Sequence, residues 1–270
     1  MELELEAGES AIYDSHVHTR NSHDGRDPVI AICEAAIRNG LAGVAFTDHC
    51  ETYLGAEACM AVKEDLMKEV AEARGEFGGS LEIAMGLEIG EPHHDIALAR
   101  ELAGGAEMDF IIGSVHKVRG EEDFYFIDYD RPDILDVLRK YYEELLELSE
   151  CDCFDVMGHI GYPLRAMSRV QRAKISLSGF SGLVREALAS LARHGKGIEA
   201  NSHCLKEGTG GILPPLEILK AFKAVGGEIV TTGSDSHASA QVGKGIPEAE
   251  SLLREAGFRE ISFFRKRRPA

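Results

Sequence analysis

The 270 residues are 44% hydrophobic and 28% charged, which is ordinary globular composition with enough apolar residues for a substantial core. The formal net charge of −17 argues against long nucleic acids and membranes as partners, although it leaves room for a local cationic pocket. No apolar run approaches the roughly 20 residues of a membrane helix, and the acidic start MELELEAGES lacks the order of a signal peptide, so we expect a cytoplasmic protein.

In chain order, short apolar runs alternate with longer amphipathic segments, a pattern that predicts strands and helices in turn. The predicted strands cover residues 10–16, 41–49, 81–88, 109–116, 154–159, 197–203 and 228–235, and FREISFF at 258–264 alternates like one more strand. The predicted helices cover about residues 29–39, 58–74, 94–102, 133–148, 180–194, 215–225 and 247–256. This alternation implies a parallel sheet, so residues 1–270 are expected to form one α/β domain with a solvated basic end, FFRKRRPA.

Histidine and carboxylate residues stand at the ends of the predicted strands. His16 and His18 occupy alternate positions of the first strand, so both side chains point the same way, and such a pair is either a metal site or a polar strand end. Glu88 follows seven mostly apolar residues, where an unpaired carboxylate is costly to bury, which favours a metal partner over a salt bridge. In a parallel barrel the carboxyl ends of all strands lie on one rim, so these side chains would converge.

Nine side chains are candidate metal ligands on this argument. They are His16, His18, His23, His49, Glu88, His116, His159, Asp235 and His237. Taken singly, His23 also fits a surface loop and His49 also fits the core. Nine nitrogen and oxygen ligands are too many for one ion, so the set predicts two or three divalent ions, with Zn, Mn and Fe all compatible.

Further polar residues near the same rim are candidates for roles beside the metals. Asp48, next to His49, is expected to orient a ligand or relay a proton. His93, His94 and His203 are candidate substrate contacts. Arg165 is the main candidate for binding phosphate, because arginine can donate two parallel hydrogen bonds to it, while Arg20, Lys117 and Arg119 are weaker candidates that also fit ordinary surface charges.

The motifs HxHT, TDH, GxE, IIGSVH, GHI and GSDSH, in that order, resemble the PHP (polymerase and histidinol phosphatase) family. DFIIGSVH and the ending FREISFFRKRRP are similar to its histidinol-phosphatase branch. The resemblance implies a distorted (β/α)7 TIM-like barrel with a trinuclear metal centre at the carboxyl ends of the strands. In that arrangement one metal takes His16, His18, Glu88 and Asp235, a second takes Glu88, His116 and His159, and a third takes His23, His49 and His237.

The resemblance also implies an activity, namely hydrolysis of L-histidinol phosphate to L-histidinol and phosphate in histidine biosynthesis. Catalytic roles then fall to Glu88, Asp235, His237 and Asp48, with Glu91 as a possible partner for the substrate amine. The sequence departs from the branch at Gly161 and His203, which concern the organic part of the substrate rather than the metals. A PHP-type nuclease or nucleotide phosphoesterase, a metal-dependent amidohydrolase and a regulatory metal-binding module are the alternatives.

Overall fold

Seven parallel strands form a nearly closed barrel in the computed structural model, which describes residues 11–167, 171, 178–206 and 210–270. The seven barrel strands are β1 (Tyr13–Val17), β2 (Gly43–Phe46), β4 (Glu82–Gly90), β5 (Phe110–Ser114), β6 (Val156–Met157), β7 (Gly197–Asn201) and β8 (Val230–Gly233), and β3 (His49–Glu51) is a short extra strand. They pair in the order β1-β2-β4-β5-β6-β7-β8, and β3 adds alongside β4. Backbone hydrogen bonds from His18 to Ser236 and from Asp235 to His16 join the first strand to the end of the last.

Helices follow the strands and cover the outside of the barrel. They are α1 (Val29–Arg38), α2 (Ala56–Phe77), α3 (Ile96–Ala103), α4 (Ile134–Ser149), α5 (Pro163–Ala166), α6 (Ser181–Arg193), α7 (His203–Lys206), α8 (Leu216–Ala224) and α9 (Ile246–Glu255). In α4 the buried residues include Ile134, Leu138, Tyr141, Leu145 and Leu148, which recur every three or four residues along one face. The predicted α/β barrel is therefore confirmed, whereas β3, α5 and α7 were not anticipated.

The carboxyl-terminal segment differs from its prediction. A strand over 258–264 is wrong, because only a short hairpin forms there, with β9 (Phe264–Arg265) antiparallel to β10 (Arg268–Pro269). Phe263 and Phe264 pack against the first residues of several barrel strands, and Phe263 stacks on Tyr13. The hairpin thus closes the amino-terminal end of the barrel, opposite the predicted site.

The basic end is not simply solvated, since its side chains pair with acidic residues of the barrel. Arg265 contacts Glu82, and Arg267 contacts Asp155. The acidic first ten residues lie outside the described part of the chain. Among the described residues, no helix has the length and apolar character needed to span a membrane.

Candidate metal centre

A cavity of about 500 Å³ opens at the carboxyl ends of the strands. Its walls carry the predicted ligands from separate parts of the chain: His23, His49, Glu88, His116, His159, Asp235 and His237. His16 and His18 lie beneath them and are fully buried. The topology of a parallel barrel explains this convergence, because each ligand stands at or just beyond the end of its own strand.

The first group of donor atoms lies at the end of β1. The Nε2 atoms of His16 and His18 are 3.0 Å apart, and they lie 3.3 and 3.5 Å from Glu88 Oε2. His18 Nε2 is also 3.5 Å from Asp235 Oδ1. Ligand atoms bound tetrahedrally to one ion at about 2.1 Å lie roughly 3.4 Å apart, so this group has the spacing of a metal site.

The second group lies around the other oxygen of Glu88. Glu88 Oε1 is 2.8 Å from His159 Nε2 and 3.2 Å from His116 Nε2, and these two nitrogens are 3.4 Å apart. Ser114 donates a hydrogen bond of 2.6 Å to the same oxygen. Each oxygen of the Glu88 carboxylate therefore faces a different set of imidazoles, which is the arrangement of a bridging ligand.

The residues predicted for a third metal are less tightly gathered. The His49 and His237 rings both stack against His18, with centroids 4.2 and 4.3 Å from it. His49 Nδ1 lies 3.0 Å from Glu88 Oε2, so His49 also adjoins the first group. His23 is exposed on the rim with its ring centroid 5.4 Å from that of His49. Asp24, which was not among the predicted ligands, lies 3.0 Å from His237 Nε2.

Buried oxygens contact the Nδ1 atoms of three ligands and so direct their Nε2 atoms into the cavity. Glu199 Oε1 lies 2.7 Å from Nδ1 of His16, and Glu51 Oε1 lies 3.0 Å from Nδ1 of His116. His18 Nδ1 lies 3.2 Å from the Ser22 hydroxyl. Partners of this kind fix the tautomer and orientation of a metal-binding imidazole.

Asp48 belongs to this supporting layer rather than to the cavity. Its fully buried carboxylate accepts 2.6 Å hydrogen bonds from the Ser22 hydroxyl and from the backbone N–H and hydroxyl of Thr19. Since Ser22 donates to Asp48, its oxygen is left to accept the Nδ1–H of His18. The structure thus places Asp48 where it orients a predicted ligand through one intervening hydroxyl.

The electrostatics of the centre favour bound cations. Burial alone would raise the pKa of Glu88, but the surrounding imidazoles outweigh it and hold that pKa well below its usual range. Burial would likewise raise the pKa of Asp235, but the Arg165 guanidinium outweighs it and holds that pKa well below its usual range. Burial would lower the pKa of His116, but Glu51 and Glu88 raise it well above its usual range. The carboxylates are therefore ionised at neutral pH, and the cluster attracts positive charge.

Two observations show that the residues fit metal ions. Glu88 Oε2 is buried and has no hydrogen-bond partner among the described residues, although it points into the group of imidazoles. The available donors are histidine nitrogens and carboxylate oxygens, which suit Zn, Mn and Fe. Asp235 also has a left-handed backbone with φ of 50°, which is uncommon outside glycine and clusters at functional sites.

Arg165 and His203, two of the candidate substrate contacts, both line the cavity. Arg165 donates to Asp235 Oδ2 at 2.7 Å through Nη1, and its Nη2 lies against the His203 ring at 2.6 Å. Arg165 is carried by the short helix α5, which follows Gly161. Gly161 has φ of 98°, so the departure to glycine here permits a backbone that a side chain would strain.

The other predicted substrate contacts lie outside the cavity lining. Arg20 pairs with Glu69 on the surface at 2.9 Å, and Lys117 packs over the Tyr53 ring. Glu91 is fully buried, and its Oε1 accepts hydrogen bonds from the backbone N–H groups of His116 and Lys117.

His93 and His94 also point away from the cavity. Both bind Glu144 on α4, the helix packed behind this part of the rim. Their position at the start of a rim loop led to the expectation of substrate contact, but the turn before α3 directs both rings outward.

The barrel gathers enough imidazoles and carboxylates at the carboxyl ends of its strands to bind more than one metal ion. Its class is therefore that of barrel proteins with a multinuclear metal centre. The family model of the PHP domain matches residues 14–203, and the chain belongs to that family.

Similar proteins cover nearly the whole chain. The histidinol-phosphatase of Lactococcus lactis subsp. lactis is 26% identical over 265 residues, covering 93% of both chains. The histidinol-phosphatase of Bacillus subtilis is 25% identical over 256 residues, covering 85% of this chain and 95% of the relative. The crystal structure of the Lactococcus lactis histidinol phosphate phosphatase, complexed with zinc, L-histidinol and phosphate, superposes with a TM-score of 0.76 at 22% identity, covering 96% of this chain and 98% of the other. At that identity the superposition shows a shared fold.

Proposed function

We propose that this protein is a metal-dependent phosphomonoesterase that hydrolyses L-histidinol phosphate to L-histidinol and phosphate. The observation that carries the proposal is the position of Glu88, whose two oxygens face two separate groups of imidazole nitrogens. Curated relatives named histidinol-phosphatase, aligned over most of the chain, support the choice of substrate. The cavity volume of about 500 Å³ lies within the range of roughly 300–1,000 Å³ for small-molecule sites.

The protein residues hold two or three divalent ions in this proposal. Glu88 spans the first and second groups, and Asp235 completes the first. His49 and His237, with His23 on the rim, make up the third. Divalent ions held there would lower the pKa of water enough to supply a nucleophile at neutral pH and would neutralise charge on the phosphoryl oxygens.

Arg165 is the proposed anchor for the substrate phosphate. Its guanidinium is mostly buried at the cavity wall and is paired with Asp235. Because a bound cation competes for the same carboxylate, Arg165 then has N–H groups to offer to the phosphate, in the two-bond geometry that arginine favours. His203, which lies against the guanidinium, helps to hold its plane in place.

The mouth of the cavity supplies a place for the organic part of the substrate. Tyr53, Tyr125 and Phe126 line it and are all exposed. Because Lys117 lies over the Tyr53 ring, the rings of Tyr125 and Phe126 are the ones available to stack on an imidazole. Asp123 also lines the cavity and accepts hydrogen bonds from the backbone N–H of Tyr125 at 2.7 Å and from the Tyr162 hydroxyl at 3.3 Å. We propose Asp123, in place of the buried Glu91, as the partner of the substrate amine.

The test is a comparison of kcat/KM for L-histidinol phosphate, generic sugar and amino-alcohol phosphates, and a dinucleotide. The proposal expects L-histidinol phosphate to be the best substrate. If it is no better than the generic monoesters, the named substrate fails while the phosphomonoesterase assignment stands. The dinucleotide as best substrate would favour a nuclease, ammonia release without phosphate release an amidohydrolase, and no turnover at all a regulatory metal-binding module.

Asp123→Asn gives a sharper test of the amine contact, because asparagine keeps an oxygen to accept the Tyr125 N–H but loses the charge. KM for L-histidinol phosphate should rise about tenfold or more, as expected for a charged hydrogen bond of 1.5–3 kcal/mol, while a monoester without an amine is unaffected. The neighbouring, exposed Glu122→Gln is the matched control.

A further inference from the structure

A second cluster of metal-binding side chains lies behind the rim, separate from the cavity. His93 Nε2 and His94 Nε2 lie 3.0 and 2.7 Å from one oxygen, Oε2 of Glu144. The two rings are 4.4 Å apart between centroids, with 67° between their planes. Two consecutive histidines therefore turn the same ring atom toward one carboxylate oxygen on α4. We infer that His93, His94 and Glu144 form a zinc site distinct from the metal centre in the barrel.

The donor set and its burial suit that ion. Two histidines and one glutamate are a known set of zinc ligands, with a fourth position left for water. The His93 and Glu144 side chains are 3% and 7% exposed, so two ligands are held by packing, while His94 at 17% leaves access for an ion and its water. An ion at about 2.1 Å from each donor needs donors roughly 3.4 Å apart, so a small outward shift of the rings makes room for it.

One ring atom of the cluster is left without a protein partner. His93 Nδ1 is buried and has no hydrogen-bond partner among the described residues. The ring can therefore carry its proton on Nδ1 and present an unprotonated Nε2 to an ion.

The surroundings also hold the carboxylate in place. The backbone N–H of Arg119 donates to Glu144 Oε1 at 2.8 Å, which leaves Oε2 for the ion. The Arg119 side chain is half-exposed, and its Nη1 lies 2.9 Å from Glu147 Oε2 and 3.7 Å from Glu144 Oε1, so its charge faces Oε1 rather than the oxygen left for the ion. A zinc ion here would fasten the loop that follows β4 to α4, on the outer side of the strand that carries Glu88.

The test compares zinc content by elemental analysis after reconstitution with zinc and removal of weakly bound metal. His94→Ala should contain one zinc per chain fewer than the wild type, while the zinc bound in the cavity is retained. His194→Ala, which removes an exposed histidine that adjoins Glu150 just after the end of α4, is the matched control and should lose none.

An anomalous difference map of the wild-type protein, recorded at the zinc edge, locates the zinc directly and does not depend on a variant that folds. The inference expects a peak between the two histidine rings and Glu144 Oε2. Equal zinc content in wild type and His94→Ala, or the absence of that peak from a zinc-saturated crystal, would overturn the inferred zinc site. The three residues would then be only a hydrogen-bonded contact between the loop and α4. Loss of activity against L-histidinol phosphate would not bear on this outcome, so failure of the proposed function and failure of this site are separable.

Discussion

Replacing Glu88 with glutamine keeps the shape of the side chain but removes the charge that two groups of imidazoles surround. Its carboxylate is almost fully buried, with nitrogens of four histidines at 2.8–3.3 Å. Removing one partner from a buried charged cluster costs about 3–5 kcal/mol. At 1.4 kcal/mol for each factor of ten, the affinity for the most weakly held ion should fall by a factor of about 10² to 10³ or more.

Metal affinity can be measured by competition with a chromophoric chelator. Turnover can be measured separately, in the presence of excess metal. We expect Glu88→Gln to lose at least one ion per chain and to be more impaired than any single-histidine variant, because one carboxylate serves two sites. Glu186→Gln, an exposed position on α6, is the matched control. Full metal loading together with near-normal turnover in Glu88→Gln would refute the bridging role.

Three further predictions concern the supporting residues. Glu199→Gln removes the charged partner of His16 Nδ1. Metal affinity, measured by chelator competition, should fall about 10- to 100-fold, as is typical when such a partner is lost. An unchanged affinity would contradict this role. Arg165→Ala should raise KM for a phosphomonoester while metal content stays the same, and an unchanged KM would return Arg165 to a structural role. Phe263→Ala should lower the free energy of unfolding by about 3–5 kcal/mol in urea titrations without changing metal content, since its ring is buried at the far end of the barrel; a loss below 1 kcal/mol would contradict the proposed closure.

Much of the fold was predictable because each strand is a short apolar run and each helix is amphipathic at a regular spacing. The ends of the strands were informative for the same reason: a glutamate such as Glu88 inside an apolar strand has few uses other than binding a cation or a counter-charge. Once the strands were placed parallel, the HxH pair of β1 and the DxH pair after β8 had to meet at one rim.

The supporting residues were harder to predict, because a side chain that binds the back of a ligand need not share its strand. Glu199 gave the same signal as Glu88, an acid inside a buried strand, but its partner His16 is 183 positions away. Glu51 lies on β3, a strand of three residues that pattern alone does not separate from its turn. His93 and His94 were expected to face the substrate, and their outward direction depends on the turn after Glu91, which composition does not reveal.

The most direct test of the metal centre is an anomalous difference map, recorded at the zinc edge from crystals of zinc-loaded protein. The structure predicts at least two peaks in the cavity, one on each side of the Glu88 carboxylate: the first among His16, His18 and Asp235, the second beside His116 and His159. A single peak away from Glu88, or none in the cavity at full zinc saturation, would contradict a metal centre bridged by Glu88.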